Sequence, residues 1–499
     1  MSALYHHFTT TINVSKDSPR ANSNERERLL RDTFTIAERL TLSSLLVASV
    51  VLFTFADPRS YWTMGFILIL GILAPAILKV HERTHPFIIF ALWGRFWIYT
   101  APITFFCLQF VVGLMHNPIV SIEFDGQSYD SVIATSAWYP ASVITPKTWL
   151  AVFAYSSIYL LCVNLYIVPK SRAFFENALP PFCLLAVILV VLGYLQIAIG
   201  AKDVIFTNGT GQTDFFAFFP YDGHWAAFAT IWTAACIGMA LLNSRYNPNG
   251  NFINSSGPWY LTGATLLAAS GFLIQAKWPS TVLLVTFSVM LMLVAIQFLT
   301  KSNDRNRNQI ALFCGLASSI IFAATIVRLF QFETDTSDTN FLHQAALEIF
   351  KDRPLWGWGF DSFAQISPFY TADTILGARY DRASSDFLHY LVELGLVGAL
   401  LLPITCFIIL LEYLKERRNV VLSRHLLIGC AGVVVLAFCD SPFMSPAVFL
   451  SFFIVFFSAM RWAKVSRIED SLDTKPQLVI SEEHRRVPIY TGEYKDITK

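Results

Sequence analysis

The sequence predicts an all-α polytopic membrane protein with about 12 transmembrane helices and a large outer loop between helices 9 and 10. Three observations lead to this fold class. The 499-residue chain is 55% hydrophobic and only 14% charged, whereas soluble proteins carry about 25% charged residues. Apolar runs of about 20 residues, enough to cross a roughly 30 Å hydrocarbon layer as a helix, recur along the chain. Lys and Arg concentrate in alternate connecting segments.

The apolar runs divide the chain into segments. The predicted spans are 37–56, 61–79, 88–115, 149–168, 180–201, 224–242, 258–276, 279–300, 310–331, 391–413, 422–439 and 445–463. The resulting organisation is a cytoplasmic segment 1–36, helices 1–9 within 37–331, an outer loop 332–390, helices 10–12 within 391–463, and a cytoplasmic tail 464–499. Because the first segment is polar and charged, we expect no cleaved signal peptide.

The distribution of basic residues predicts how the spans are oriented. If the N-terminus is cytoplasmic, only ten of the 36 Lys and Arg residues fall on the outer side. Those ten are Arg59, Arg95, Lys147, Lys202, Lys277, Arg328, Lys351, Arg353, Arg379 and Arg382. An excess of Lys and Arg in cytoplasmic loops is the usual signature of membrane orientation. We therefore predict an even number of spans with both termini in the cytoplasm.

Charge and cysteine usage argue against other classes of function. The net charge is +1, and no basic stripe interleaved with aromatic residues indicates nucleic-acid binding. All eight cysteines lie in apolar segments, and none pairs with another at the spacing of metal ligands. We interpret them as small buried hydrophobes, and we expect no cofactor.

The outer loop 332–390 is the longest segment between spans. Loops of this length are uncommon unless they have a function. Residues 338–350 have the periodicity of an amphipathic helix, which outside the bilayer is expected to lie on its surface. Residues 353–360, with the sequence RPLWGWGF, place two glycines between aromatic residues. They indicate either a tight backbone path at a site or a structural turn within an aromatic belt.

An ionisable stripe leads from this loop into the tenth span. Asp386, His389 and Glu393 are spaced i, i+3 and i+7, so in a helix they lie within about 60° of one another. Ionisable side chains in a span are costly and by default indicate a functional site facing the bundle interior. The alternative is a structural network that pairs Glu393 with a neighbouring helix. Arg379 and Arg382 precede this helix, where they form either an anion site with the free backbone N–H groups or two solvated arginines.

These residues carry a resemblance to a known family. Residues 346–402 resemble the signature region of the O-antigen ligase and O-antigen polymerase superfamily. The family's Pro-Leu-x-Gly-x-Gly segment is met by residues 354–359. Its Ala-His-Asn-Asp-Tyr-Leu segment corresponds to 383–388, and its Glu-x-Gly ending to Glu393 and Gly395.

Two further stretches agree with the family, and one position departs from it. Residues 219–227, FPYDGHWAA, resemble the His-containing start of a middle span, and residues 440–447, DSPFMSPA, resemble the loop before the last span. Ligases of the family are considered to activate the acceptor with the His of their His-Asn pair, and Ser384 occupies that position here. A serine cannot act as a base near neutral pH without help, so the departure favours a polymerase over a ligase.

The resemblance implies a multi-pass enzyme of the bacterial inner membrane whose long loop is periplasmic. Its substrates would be polyprenyl-diphosphate-linked glycans and its surroundings membrane lipid, with metal-independent, inverting glycosyl transfer as the reaction. We expect a polymerase of O-antigen or exopolysaccharide, with a chain-length regulator and a flippase as partners. A ligase acting on lipid A-core or on protein is the runner-up. A transporter or flippase is the third possibility, although transporters more often place ionisable groups near the midplane on broken helices.

Glycosyl transfer from a diphosphate needs cations at the leaving group and a base for the attacking hydroxyl. We expect Arg379 and Arg382 at the diphosphate. We expect Asp386 to be the base, with His389 or His224 as alternates. The residues predicted to bind substrate are Arg353, Lys277, His224, Glu393 and Ser384.

Overall fold

The structure, a computed structural model, is almost entirely helical. It describes residues 34–54, 61–84, 89–113, 115, 116, 118–124, 127–132, 138–143, 145–201, 204, 215–246, 255–301, 305–331, 336–371, 380, 382–415 and 421–473. The helices are α1 Ile36–Thr54, α2 Tyr61–Thr84, α3 Ile89–Gly113, α4 Thr145–Ile167, α5 Arg172–Ile199, α6 Asp222–Tyr246, α7 Gly257–Ala269, α8 Lys277–Lys301, α9 Arg305–Gln331, α10 Thr336–Asp352, α11 Phe363–Thr371, α12 Asp386–Lys415, α13 Val421–Leu436 and α14 Pro446–Asp473.

Short elements connect some of these helices. Strand β1, Ile119–Phe124, pairs antiparallel with β2, Gln127–Val132, in the first outer loop. One 3₁₀ turn, Ser270–Phe272, follows α7, and another, Pro442–Met444, precedes α14. Within the described residues this hairpin is the one β-sheet, and the predicted all-α fold class is confirmed.

Ten of the described helices are long and apolar enough to cross a membrane, namely α1–α6, α8, α9, α12 and α14. The seventh and eleventh predicted spans correspond to shorter helices. α7 has 13 residues and α13 has 16, so α7 is only about 20 Å long. Both short helices pack against α6. The apolar length of α6 is fully buried, which makes it the central helix of the bundle.

The predicted amphipathic helix in the outer loop is present as α10. Its apolar residues Leu342, Ala345, Ala346 and Ile349 are all buried. They pack against α11 and α12 rather than facing outward. An amphipathic pattern predicts that the apolar face of a helix is buried but does not predict what buries it. Here the apolar face is buried by other helices of the protein and not by lipid.

The predicted orientation can be tested with single cysteines in a variant that lacks the eight native ones. Lys351 is exposed at the C-terminal end of α10, and Lys170 is exposed between α4 and α5. We expect a membrane-impermeant maleimide to label Lys351→Cys in intact spheroplasts and to label Lys170→Cys only after permeabilisation, because the predicted orientation places the two positions on opposite sides of the membrane. Labelling of Lys170→Cys in intact spheroplasts would contradict the orientation.

Candidate functional site

The first feature of the site is a break in α12. Gly395 has φ +66° and ψ −178°, which interrupts the helix inside its apolar length. The glycine-rich loop 354–359 fills the break. Four backbone hydrogen bonds join the two segments: Trp358 N to Val392 O (3.1 Å), Gly359 N to Glu393 O (2.9 Å), Leu396 N to Pro354 O (2.8 Å) and Val397 N to Leu355 O (3.2 Å). Backbone groups at membrane depth need protein partners, and the loop supplies them.

This junction depends on two glycines. Gly357 and Gly395 both have positive φ, +67° and +66°. A Cβ on Gly357 would lie 2.4 Å from the carbonyl oxygen of Glu393, and a Cβ on Gly395 would lie 2.3 Å from that of Leu355. Any side chain at either position would therefore force the loop and the helix apart. The two glycine motifs, which are separate in the sequence, form one structure.

Glu393 links the broken helix to α11. Its Oε2 accepts from Asp361 N at 2.9 Å, and its Oε1 accepts from Phe363 N at 3.1 Å. His389 Nε2 lies 3.2 Å from the same Oε1, and both side chains are 1% exposed. Glu393 therefore satisfies N–H groups at the start of α11, where a carboxylate is stabilised by the helix dipole. This geometry supports the structural interpretation of Glu393 and places His389 against it.

Asp386 begins α12 and joins it to the turn before α14. Its Oδ2 accepts from Phe443 N at 2.6 Å, and its backbone N donates to Asp440 O at 3.0 Å. The side chain is 1% exposed. Its Oδ1 is buried without a hydrogen-bond partner among the described residues. One carboxylate oxygen is thus fixed and the other is available.

A second polar group lies beside Asp386, at the N-terminal end of α6. The Tyr221 hydroxyl donates to Asp440 Oδ2 at 2.8 Å, and Ser441 N donates to Asp440 Oδ1 at 2.7 Å. The guanidinium carbon of Arg382 lies 4.1 Å from the centre of the Tyr221 ring. His224 Nε2 donates to Ser441 O at 3.0 Å. Burial raises the pKa of Asp440 above its usual value, while the bonds from Tyr221 and Ser441 oppose that rise.

The remaining predicted cations differ in their surroundings. Arg353 is 3% exposed, lies 4.9 Å from the Trp358 ring centre and donates to Tyr139 O at 3.4 Å. Burial lowers the pKa of Arg353 from its usual value. These contacts place it beneath the glycine-rich loop. Lys277 begins α8, next to a segment whose backbone N–H groups bind Asp222 at the start of α6.

Two predicted positions remain. Ser384 is half-buried and has φ +55°, a conformation that few non-glycine residues adopt. It lies directly before the start of α12, two residues from Asp386. Arg379 falls outside the described residues. The structure therefore brings together Arg382, Asp386 and His224, with His389 further along the same helix.

Sequence reasoning did not assign roles to Tyr221 or Asp440. Both lie in the stretches 219–227 and 440–447, which were noticed for their resemblance alone. No local periodicity relates the two residues, so nothing in the sequence pairs them. The two residues meet because the start of α6 and the turn after α13 lie at the same end of the bundle.

These features define a polytopic membrane protein with a buried polar site at one end of its central helices. Residues 251–403 match the family model described as O-antigen ligase. The match includes the loop 354–359 and the break in α12, and it ends before Asp440. The resemblance to the O-antigen ligase and polymerase superfamily is thereby confirmed. No curated protein sequence matches this chain.

The junction between the loop and α12 can be tested through Gly357→Ala. We expect this change to destabilise the protein by about 1–3 kcal/mol, because it combines a positive φ with a backbone clash. Thermal unfolding of the detergent-purified protein measures the effect as a lower Tm. Gly94→Ala is the matched control, since a Cβ there meets no atom within 4 Å. Equal Tm values for the two variants would contradict the proposed strain.

Proposed function

We propose that this protein is a polymerase that extends lipid-linked oligosaccharide repeat units of O-antigen or exopolysaccharide. The reaction would take place on the periplasmic face of a bacterial inner membrane. The observation that carries the proposal is the placement of Arg382 and Asp386 together at the start of α12, within the segment that matches the family. A cation and a carboxylate in one buried site are what transfer from a diphosphate requires.

The proposed reaction is a single displacement. A sugar hydroxyl of the acceptor attacks C1 of the donor glycan while the bond between C1 and the diphosphate oxygen breaks. Polyprenyl diphosphate leaves with the bonding electron pair, and the proton of the hydroxyl passes to a base. Attack from the face opposite the leaving group inverts the configuration at C1.

Arg382 is the proposed anchor of the diphosphate. In the described part of the chain its guanidinium forms no ion pair and contacts the face of Tyr221. Its N–H donors are therefore available to phosphate oxygens, which the planar fork of a guanidinium binds in pairs. Arg379, three residues earlier in the sequence, is the proposed second cation. Arg353 is buried under the loop, which supports a role in holding the loop in place.

Asp386 is the proposed base. Phe443 N fixes one of its oxygens and leaves Oδ1 to accept the proton of the acceptor hydroxyl. His389 is the first alternate, because its buried Nδ1 has no hydrogen-bond partner among the described residues. His224 is the second alternate, with Nε2 bonded to Ser441 O. Glu393 supports the choice of His389 as an alternate base, because its Oε1 holds the Nε2 atom of the His389 ring.

A ligase is the second candidate, and the description of the matching family favours it. Against it stands Ser384 at the position where the family's ligases have histidine. A transporter would share the broken helix α12. Here the break is filled by the protein's own loop, whose four hydrogen bonds occupy backbone groups that would otherwise bind an ion or a substrate.

The product distinguishes these candidates. The assay uses purified protein in liposomes without any ion gradient. A lipid-linked repeat unit is added as substrate, with or without lipid A-core. We expect a ladder of lipid-linked polymers in both cases, because the acceptor of a polymerase is a second lipid-linked glycan. Transfer that requires lipid A-core would indicate a ligase. Movement of the substrate across the bilayer without elongation would indicate a transporter.

The anion site can be tested with Arg382→Ala and Arg379→Ala. We expect each change to lower polymer synthesis by about 10²-fold, because a cation at the leaving group stabilises the charge that develops there. Lys in place of Arg382 should rescue partly, since it keeps the charge and loses the bidentate fork. Lys351→Ala is the control, an exposed outer cation that should be dispensable. Normal polymer from the double alanine variant would remove the assignment.

The base can be tested by comparing Asp386→Asn with Ser384→Ala. Asparagine can still accept from Phe443 N but cannot take up a proton, so we expect turnover to fall by about 10²–10⁴-fold. Ser384→Ala should have a far smaller effect, and Ser384→His should bring no gain. The variants must stay monodisperse and bind donor lipid normally. Full activity of Asp386→Asn together with an inactive Ser384→Ala would transfer the role to Ser384.

A further inference from the structure

One tyrosine connects the cation of the proposed site to the rest of the bundle. Tyr221 lies directly before α6, and its ring faces the Arg382 guanidinium at 4.1 Å. Its hydroxyl donates to Asp440 Oδ2 at 2.8 Å. The His224 ring packs edge-on against it, with ring centres 5.0 Å apart. Contacts on the face, at the hydroxyl and against a second ring fix both the position and the tilt of the Tyr221 ring.

The kind of support that Arg382 receives affects its charge. An arginine held by a carboxylate is largely neutralised, whereas one held by an aromatic face keeps its full charge and its N–H donors. Two carboxylates, Asp386 and Asp440, lie near enough to interact with the charge of Arg382, but among the described residues neither forms an ion pair with it. The two oxygens of Asp440 accept from the Tyr221 hydroxyl and from Ser441 N. The arrangement therefore holds Arg382 through an aromatic ring and leaves its N–H donors for an external anion.

The turn that contains Asp440 also fixes Asp386. Asp386 N donates to Asp440 O at 3.0 Å, and Phe443 N donates to Asp386 Oδ2 at 2.6 Å. His224 Nε2 binds Ser441 O in the same turn. One short segment, residues 440–443, thus sets the relative position of the proposed cation and the proposed base. A displacement of this turn would move both groups at once.

We propose that Tyr221 and Asp440 are positioning residues for the diphosphate of the lipid-linked donor. The Tyr221 ring holds the Arg382 guanidinium, and Asp440 holds the ring through the tyrosine hydroxyl. Neither residue touches the substrate. This inference rests on the proposed function, because it takes Arg382 to be the group that binds the diphosphate.

The first experiment measures the binding of farnesyl diphosphate, a short polyprenyl diphosphate, to the purified full-length protein by isothermal titration calorimetry. Tyr221→Leu removes the ring, and we expect it to weaken binding by about three- to thirtyfold, the range of a cation–π contact. Tyr221→Phe keeps the ring and should cost less. In an Arg382→Ala background, Tyr221→Leu should cause no further loss, because its effect passes through Arg382.

The second experiment separates the hydrogen bond of Asp440 from its charge. Asp440→Asn keeps an oxygen that can accept from the Tyr221 hydroxyl, while Asp440→Ala removes it. We expect Asp440→Asn to bind farnesyl diphosphate nearly as well as the unmodified protein, and Asp440→Ala to bind as weakly as Tyr221→Phe or more weakly. Equal losses in the two Asp440 variants, or no loss in either, would overturn the role assigned to Asp440.

A matched control guards against a general effect of losing a buried tyrosine. Tyr194 lies in α5 and donates to Leu266 O at 2.7 Å, so Tyr194→Leu removes a comparable ring and hydrogen bond elsewhere. We expect it to lower Tm and leave the affinity for farnesyl diphosphate unchanged.

The outcomes separate this inference from the proposed function. If Arg382→Ala binds farnesyl diphosphate as well as the unmodified protein, the anion site of the proposed function fails. If Arg382→Ala loses binding and Tyr221→Leu does not, the positioning role alone fails. A further loss from Tyr221→Leu in the Arg382→Ala background would also overturn it, since Tyr221 would then act independently of Arg382.

Discussion

The backbone junction between the loop 354–359 and the break in α12 is the constraint on which the surrounding half of the molecule depends. A helix that breaks at membrane depth exposes peptide groups, and each unsatisfied group costs several kcal/mol. The loop returns four hydrogen bonds to α12. Because these bonds attach the loop to a membrane-embedded helix, α10, α11 and the Arg353–Trp358 contact are fixed relative to the bundle.

Two charged side chains satisfy a second stretch of irregular backbone near the same end of the bundle. α7 has only 13 residues and is followed by the 3₁₀ turn Ser270–Phe272. Arg328 of α9 donates to the carbonyl groups of Phe272 and Ile274, and Asp222 of α6 accepts from Gln275 N and Ala276 N. Arg328 is thus a structural member of the ten cations that the sequence predicts on the outer side. Those ten cations do not all belong to one site.

The proposed site combines three parts of the chain that are far apart in sequence. The start of α6 contributes Tyr221 and His224, the start of α12 contributes Asp386, and the turn before α14 contributes Asp440. Each part is irregular backbone or a helix terminus, where backbone N–H and C=O groups do not all form hydrogen bonds within a helix. The central helix α6 is fully buried along its apolar length and contacts the turn before α14.

The sequence by itself determined the class of the protein, and it indicated that His389 and Glu393 lie on one face of a helix. These properties are local: an apolar run long enough to cross the bilayer, or a spacing of four residues on a helix, needs no knowledge of the remaining chain. The apolar face of α10 was predictable for the same reason, while its protein cover was not. Only the tertiary structure decided that Tyr221 bonds to Asp440 and that the glycine-rich loop enters the break in α12. Those contacts join residues that are distant along the chain, and which helix ends meet is set by how the whole bundle packs.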